Sequence, residues 1–145
     1  MGNPLALVIE DEYDLSLVLA RALREASFAA EIVRARNEAL EWLEEHTPAL
    51  VLLDLYLPIS TSPTTSLSTP PSPDTDQPIG VDILRYIRQE ERLQSTRVIT
   101  ITAYEGALEL AKPDPDATLM KPFRYEQLIE LARTFLPEPV PGDHS

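Results

Sequence analysis

The sequence predicts an α/β domain built on one doubly wound, five-stranded parallel sheet with helices on both faces. Two observations support this prediction. Short apolar runs, such as residues 5–9 and 50–53, alternate along the chain with segments whose apolar residues recur at helical spacing. The runs are closed by polar residues at their carboxyl ends, which is typical of strands buried on both faces. Elements that alternate in this way pack as a parallel sheet covered by helices.

The first half of the chain contains two predicted strand–helix pairs. Residues 5–9 form the first strand, and the apolar positions between Leu15 and Ala26 predict a helix of about four turns, capped by Asp14. A second strand at residues 31–34 precedes Asn37, a preferred N-cap residue. The helix that follows Asn37 ends before Pro48, because proline restricts the residue in front of it.

The second half continues the alternation after a long interruption. The third strand ends at Asp54, and a helix is predicted from about Val81 to Leu93. The fourth strand ends at Thr102, and a short fifth strand ends near Met120. The last helix has one apolar stripe and stops before proline. The stripe consists of Leu128, Leu131, Ala132 and Phe135. We expect strand order 2-1-3-4-5, the flavodoxin-like arrangement.

The chain of 145 residues has the length of one domain. From Pro58 to Pro78, 16 of 21 residues are Ser, Thr or Pro. Such a segment buries too little apolar surface to offset the entropy of ordering it. We therefore predict a domain at residues 1–136 with a flexible inserted loop at residues 59–79. Residues 137–145 are predicted to form a disordered tail.

Composition excludes several classes of function. With 12 basic and 24 acidic residues, the chain has a formal charge of -12, which argues against nucleic-acid binding. It contains no cysteine, so disulfides and thiolate chemistry are excluded. The apolar run at the amino terminus is too short to cross a bilayer. These features predict a cytoplasmic protein without membrane association.

Polar residues at the strand ends predict one functional site. They are Glu10 and Asp11 after the first strand, Asp54, Thr102, and Lys121. Because ligands of open parallel sheets bind outside the carboxyl ends of the strands, these side chains should meet at one edge. Carboxylates, a hydroxyl and an ammonium group at one edge suit a hard divalent cation and a phosphoryl group.

Four stretches at these strand ends occur in an order typical of one family. They read Leu-Val-Ile-Glu-Asp-Glu at residues 7–12, Val-Leu-Leu-Asp-Leu-Tyr-Leu-Pro at 51–58, Ile-Thr-Ala at 101–103, and Met-Lys-Pro-Phe at 120–123. Together they resemble the receiver domain of two-component response regulators. The resemblance covers nearly the whole chain apart from the inserted loop and the tail.

The resemblance implies a role for each site residue. Asp54 would be the phosphoacceptor, and Lys121 and Thr102 would contact the phosphoryl group. Mg²⁺, with Mn²⁺ as a substitute, would be ligated by Asp11, Asp54 and the backbone carbonyl of Tyr56. Glu10 would act on the metal through a water. A cis Lys121–Pro122 bond is also favoured by the resemblance.

Four further residues are predicted to modulate the switch or the phosphoryl lifetime: Tyr56, Ala103, Tyr104 and Thr118. Thr118 departs from the family, which usually has an aromatic residue there. Pro113 and Pro115 cannot both lie inside a helix, so we predict that the helix between the fourth and fifth strands is short or degenerate.

The implied function is a phosphorylation-controlled signalling switch rather than an enzyme, beyond self-phosphorylation from a phosphodonor and autodephosphorylation. Its partners would be a sensor histidine kinase or histidine phosphotransfer protein and a downstream protein target, with a homodimer also allowed. One alternative is an interaction module that keeps the fold but works without phosphate. Another is a small phosphatase with an aspartate nucleophile, although that class needs a second acid where this chain has Tyr56.

Overall fold

Five parallel strands form the sheet at the centre of the computed structural model, which describes residues 3–56, 80–103 and 114–137. The strands are β1 (Leu5–Ile9), β2 (Ala29–Val33), β3 (Leu50–Asp54), β4 (Arg97–Thr102) and β5 (Ala117–Met120). Their order is β2-β1-β3-β4-β5, which confirms the predicted arrangement. In the register of the sheet, Ile9 lies beside Leu53 and Thr102 beside Met120, so the carboxyl ends align at one edge.

Four helices within the described residues cover the two faces of the sheet. They are α1 (Tyr13–Glu25), α2 (Arg36–Glu45), α3 (Gly80–Gln89) and α4 (Tyr125–Arg133). Helices α1 and α4 pack on one face and α2 and α3 on the other, with alternate strand residues contributing to each core. Thus Ala6 and Val8 face the first core, whereas Leu7 and Ile9 face the second. This alternation explains why the central strands are continuous apolar runs.

Both predicted helix caps were wrong. Helix α1 has Glu12 as its N-cap residue and α2 has Ala35, and neither side chain caps its helix. Asp14 lies within the first turn of α1. The side-chain oxygen of Asn37 accepts hydrogen bonds of 3.3 Å from Arg36, so it is engaged by a guanidinium group instead of a helix amide. A contact with the adjacent residue therefore replaces the predicted cap at Asn37.

The other boundaries differ from the prediction by a few residues. Strand β2 begins at Ala29, two residues earlier than predicted, because it pairs with β1 along its whole length. Helix α3 ends at Gln89, and a separate 3-10 turn, Glu91–Leu93, buries Leu93. The side-chain amide of Gln94 donates through Nε2 to the backbone carbonyls of Arg88 and Glu90, near the end of the helix. Phe135 lies beyond α4 but still packs against the core.

Several predictions concern residues outside the described part of the chain. These are the inserted loop at residues 59–79, the degenerate helix expected around residues 104–113, and all but the first residue of the tail. Within residues 3–56, 80–103 and 114–137, none of the helices has the length and apolar content needed to cross a membrane.

Candidate active site

Glu10 follows β1 and is almost fully buried, with 1% of its surface exposed. Its backbone amide donates to the carbonyl of Val33 at 3.1 Å, which ties the end of β1 to the end of β2. Its carboxylate oxygen Oε2 accepts the amide of Glu12 at 3.2 Å. The turn between β1 and α1 is thus folded around the Glu10 carboxylate, and Asp11 is exposed on its outside.

Asp54 is the last residue of β3, and only 7% of its side chain is exposed. Its oxygen Oδ1 accepts the backbone amide of Tyr56 at 3.0 Å. Its neighbour Leu55 is fully buried and hydrogen-bonded to the carbonyl of Ile101, which fixes the start of the turn. The carboxylate is therefore held at the edge of the sheet by its own strand and by the turn that follows.

Lys121 follows β5 and brings the ammonium group to these carboxylates. Its Nζ lies 3.4 Å from Glu10 Oε1 and 3.5 Å from Asp54 Oδ2. Burial lowers the pKa of Lys121, but the charges of Asp54 and Glu10 outweigh it, and the pKa is raised. The backbone amide of Lys121 donates to the carbonyl of Thr102 at 2.8 Å, and the Lys121–Pro122 bond is cis, as predicted. The lysine thus links β4 and β5 to the acidic cluster.

Three carboxylates form a candidate metal centre. One ligand atom each from Glu10, Asp11 and Asp54 lies within 4.8 Å of the others. Burial, followed by the charge of Asp54, raises the pKa of Glu10 to about 8. Two carboxylates about 4 Å apart repel by about 4 kcal/mol at an effective dielectric of about 20. One lysine offsets only part of this repulsion, and hard oxygen donors suit Mg²⁺, so the residues fit such an ion.

The remaining predicted site residues divide into two groups. Thr102 is buried at the end of β4, and Ala103 and Tyr56 are exposed at the same edge. Thr118 lies further back in β5, where its hydroxyl is 2.9 Å from that of Thr100 on the neighbouring strand. It does not join the cluster of Glu10, Asp54 and Lys121. Tyr104 lies outside the described residues.

Gly80 is a site residue whose role the sequence analysis did not recognise. A Cβ atom at this position would lie 2.6 Å from the carbonyl oxygen of Asp54 and 2.7 Å from the Cα of Leu55. Only glycine allows α3 to begin this close to the backbone of the phosphoacceptor candidate. The available signal was a glycine at the start of an amphipathic helical pattern.

Comparison with known proteins shows what this chain is similar to. No family model matches the chain. The polar-differentiation response regulator DivK of Brucella anthropi is 28% identical over 138 residues, covering 92% of this chain and 97% of DivK. The chain is therefore similar to a response regulator. The match spans nearly the full length of both proteins, so the similarity extends well beyond the strand-end motifs.

Solved receiver domains share the fold of this chain. A CheY-like receiver domain from Methylobacillus flagellatus matches with a TM-score of 0.68 and 19% identity, covering 92% of this chain and 99% of that one. The receiver domain of a sensor histidine kinase from Pseudomonas aeruginosa PAO1 matches with a TM-score of 0.72 and 21% identity, covering 93% and 98%. That structure has a magnesium ion coordinated in its active-site cleft.

The similarity to receiver domains gives the acidic cluster a context. Response regulator receiver domains are switches in phosphorylation-based, two-component signalling. In this chain, the carboxylates and the lysine occupy the carboxyl edge of the parallel sheet, where ligands of such sheets bind.

Proposed function

We propose that this receiver domain accepts a phosphoryl group on Asp54 from a histidine kinase or a histidine phosphotransfer protein, and that phosphorylation changes its binding to a downstream protein. The main support is the position of Lys121, whose ammonium lies within 3.5 Å of both Glu10 and Asp54 at the edge of the sheet. The functional unit is residues 1–136, and a kinase partner of this type places the reaction in the cytoplasm.

The chemical step is an in-line transfer between a nitrogen and an oxygen. A carboxylate oxygen of Asp54 donates an electron pair to the phosphorus of a phosphohistidine and forms a P–O bond. The P–N bond breaks, its electron pair stays on the imidazole nitrogen, and that nitrogen takes a proton from solvent. Attack of water on the acyl phosphate later returns inorganic phosphate and the free Asp54 carboxylate.

Two residues of the site stabilise the added charge. Lys121 is 25% exposed, so its ammonium can contact both the carboxylate and an incoming phosphoryl oxygen. Thr102 is the last residue of β4 and contributes the hydroxyl for a second phosphoryl oxygen. Movement of Thr102 toward that oxygen would shift the loop that follows β4, which provides a route from the site to a binding surface.

The metal proposal rests on the donor set. Asp11, Asp54 and the backbone carbonyl of Tyr56 would hold Mg²⁺ or Mn²⁺, with Glu10 acting through a water. The cation, when bound, supplies positive charge that offsets the carboxylates and the phosphoryl oxygens. Asp11 is the exposed member of the cluster, so it is accessible to an ion entering from solvent. Glu10 and Asp54 are the buried members of the cluster.

An apolar groove beside Lys121 supports docking of a phosphodonor protein. The groove has a volume of about 290 Å³ and lies between the start of α1 and the β5–α4 turn. Its lining comprises Leu15, Val18, Lys121, Pro122, Phe123, Tyr125 and Leu128. Because Lys121 belongs to both the groove and the site, a protein bound there lies next to Asp54. The phosphodonor is therefore the partner that this groove fits.

Intact-mass measurement after incubation with Mg²⁺ and a small phosphodonor tests the proposal. We expect a single phosphate adduct on the wild-type protein and none on Asp54→Asn. Asp14→Asn is the matched control, because Asp14 is an exposed acid in the first turn of α1 and is outside the cluster. An adduct that persists in Asp54→Asn would contradict the proposed phosphoacceptor. No adduct with several donors would favour the phosphate-independent interaction module.

A thermal-shift measurement tests the metal separately. At a Mg²⁺ concentration of about 10 times its Kd, the folded state gains about 1.4 kcal/mol. We expect this gain in the wild-type protein and in Asp14→Asn, and its loss in Asp54→Asn. Without metal, Asp54→Asn should be more stable than the wild type, because its substitution removes the repulsion with Glu10. An equal Mg²⁺ response in both proteins would exclude Asp54 as a ligand.

A further inference from the structure

A cluster of Tyr13, Ser16 and Arg34 lies beside the acidic turn and has no role in the proposed reaction. Arg34 directly follows β2, whose last residue, Val33, accepts the amide of Glu10 at 3.1 Å. Its side chain crosses from β2 to the first turn of α1. There Nη1 donates to Ser16 Oγ at 2.6 Å, and the guanidinium carbon lies 4.6 Å from the centre of the Tyr13 ring.

Each contact in this cluster constrains another. Ser16 is fully buried, and its hydroxyl donates to the carbonyl of Tyr13 at 2.6 Å while accepting from Arg34. Tyr13 is 63% exposed, so its ring does not serve the core. It instead provides a flat surface for the guanidinium group, a cation–π arrangement. Arg34 is thereby fixed at two points on α1.

The cluster holds the turn that carries the acidic residues. Residues 10–12 connect β1 to α1, and Tyr13 is the first residue of that helix. The N-cap residue Glu12 makes no side-chain cap, so the usual local device for fixing a helix start is missing. The carboxyl groups of Glu10, Asp11 and Asp54 lie within 4.8 Å of one another. Charged carboxylates at such distances repel, so placing this turn beside Asp54 costs free energy when no cation is bound. A link from β2 to the first turn of α1 holds the turn in this position.

We propose that Arg34 is a positioning residue, which holds Glu10 and Asp11 in metal-binding geometry through Tyr13 and Ser16. The inference rests on the proposed Mg²⁺ site. It adds that the affinity of this site depends on a guanidinium group that does not touch the metal. Partners that orient metal ligands typically contribute about 10- to 100-fold to metal affinity.

Calorimetric titration of the metal-free protein with Mg²⁺ tests this role. We expect Arg34→Gln to weaken Mg²⁺ binding by about tenfold, within the range for ligand-orienting residues. Arg21→Gln is the charge-matched control, because Arg21 is 76% exposed on α1 and pairs with Glu25. An unchanged affinity in Arg34→Gln, or an equal loss in Arg21→Gln, would overturn the proposal.

Two further variants separate geometry from charge. Arg34→Lys keeps the positive charge but loses the planar group that stacks on the ring and reaches Ser16. Tyr13→Leu removes the aromatic face, and because Tyr13 is exposed the variant should fold. Positioning predicts weaker binding in both variants and no additional loss in the double variant Arg34→Gln/Tyr13→Leu. Full rescue by lysine together with an unaffected Tyr13→Leu would show a purely electrostatic effect and contradict positioning.

Amide hydrogen exchange in the absence of metal provides a readout independent of Mg²⁺ binding. The amides of Glu12 and Ser16 are hydrogen-bonded within the turn and the first helical turn. We expect their exchange to be faster in Arg34→Gln and Tyr13→Leu, and unchanged in Arg21→Gln. If the wild type binds no Mg²⁺, the proposed site and this inference both fail. If the wild type binds Mg²⁺, and if its affinity and its amide exchange rates equal those of Arg34→Gln, only the inference about Arg34 fails.

Discussion

The backbone amide of Gly80 donates a 2.8 Å hydrogen bond to the carbonyl oxygen of Leu55. These residues lie on either side of residues 57–79, so the chain leaves β3 and enters α3 at adjacent points. A segment that begins and ends at one hydrogen bond can change in length without moving β3 or α3. This explains how the domain accommodates an insertion next to its phosphoacceptor candidate.

Deletion of residues 60–76 should therefore preserve the fold. We expect the melting temperature to change by less than about 3 °C, which corresponds to roughly 1 kcal/mol in a domain of this size. Circular dichroism melts of the full-length and shortened proteins measure this. The same two proteins test whether the insertion acts on the site, because equal phosphorylation and dephosphorylation rates would reject a regulatory role. Failure of the shortened protein to fold would contradict the expectation that the length of this segment can change without moving β3 or α3.

Gly80→Ala should destabilise the domain. The new Cβ atom would lie 2.6 Å from the carbonyl oxygen of Asp54 and 2.7 Å from the Cα of Leu55. Both are backbone atoms, which cannot relieve the contact by a change of rotamer. Overpacking of this kind costs about 1–3 kcal/mol. Chemical denaturation measures the loss, with Arg85→Ala on the same helix as a control because Arg85 is only partly buried. Equal stability of Gly80→Ala and the wild type would show that the contact relaxes at no cost.

Tyr56→Asn should shorten the lifetime of the phosphoryl group. Tyr56 is 45% exposed, and its amide is hydrogen-bonded to Asp54, which places the side chain beside the carboxylate. Its bulk obstructs the approach of a hydrolytic water. We expect dephosphorylation to accelerate by on the order of tenfold, about 1.4 kcal/mol of activation free energy.

The lifetime is measured by following decay of the phosphate adduct after the donor is removed. Tyr56→Phe keeps the bulk and should retain the wild-type decay rate. An unchanged or longer lifetime in Tyr56→Asn would count against obstruction by the ring. A faster decay in both variants would assign the effect to the hydroxyl group instead.

Asp116 should contribute stability that depends on pH. Burial raises the pKa of Asp116, but hydrogen bonds from Arg88, Val98 and Arg97 outweigh it and the pKa is lowered. Arg88 Nη2 lies 2.8 Å from Asp116 Oδ2, and both side chains are mostly buried. The carboxylate therefore joins α3, β4 and β5 at the amino edge of the sheet.

The sign of the pH dependence follows from the lowered pKa. The contribution is present above the unfolded-state pKa of about 3.9 and is lost as pH falls through the folded-state value. Asp116→Asn should be less stable than the wild type by about 1–3 kcal/mol at pH 7. The difference should shrink at pH values below about 4. Chemical denaturation at several pH values measures the difference in unfolding free energy between the wild type and Asp116→Asn, with Glu41→Gln as the control because Glu41 is exposed. A difference that does not vary with pH would contradict the stabilising role of the Asp116 carboxylate.

Prediction from sequence succeeded where the signal is local. Continuous apolar runs and the polar residues that close them are consequences of strands buried on both faces, and both are visible in the chain. The predicted flavodoxin-like strand order, one of the orders that alternating elements with right-handed connections adopt, is confirmed. Boundaries set by contacts between elements were predicted less well. Helix α2, for example, begins at Arg36, whose Nη1 donates to Asp82 Oδ2 of α3 at 2.9 Å.

The sequence by itself determined the sheet, its edge, and the acids and lysine that belong to that edge, because each depends on a few neighbouring residues. The tertiary structure decided which atoms meet. Lys121 and Glu10 are 111 positions apart, and their 3.4 Å contact depends on the pairing of β5 with β4 and of β3 with β1. Likewise, Arg34 reaches Ser16 only because β2 lies beside β1 and α1 packs across both. Side-chain distances of this kind follow from the three-dimensional path of the chain and have no local sequence pattern.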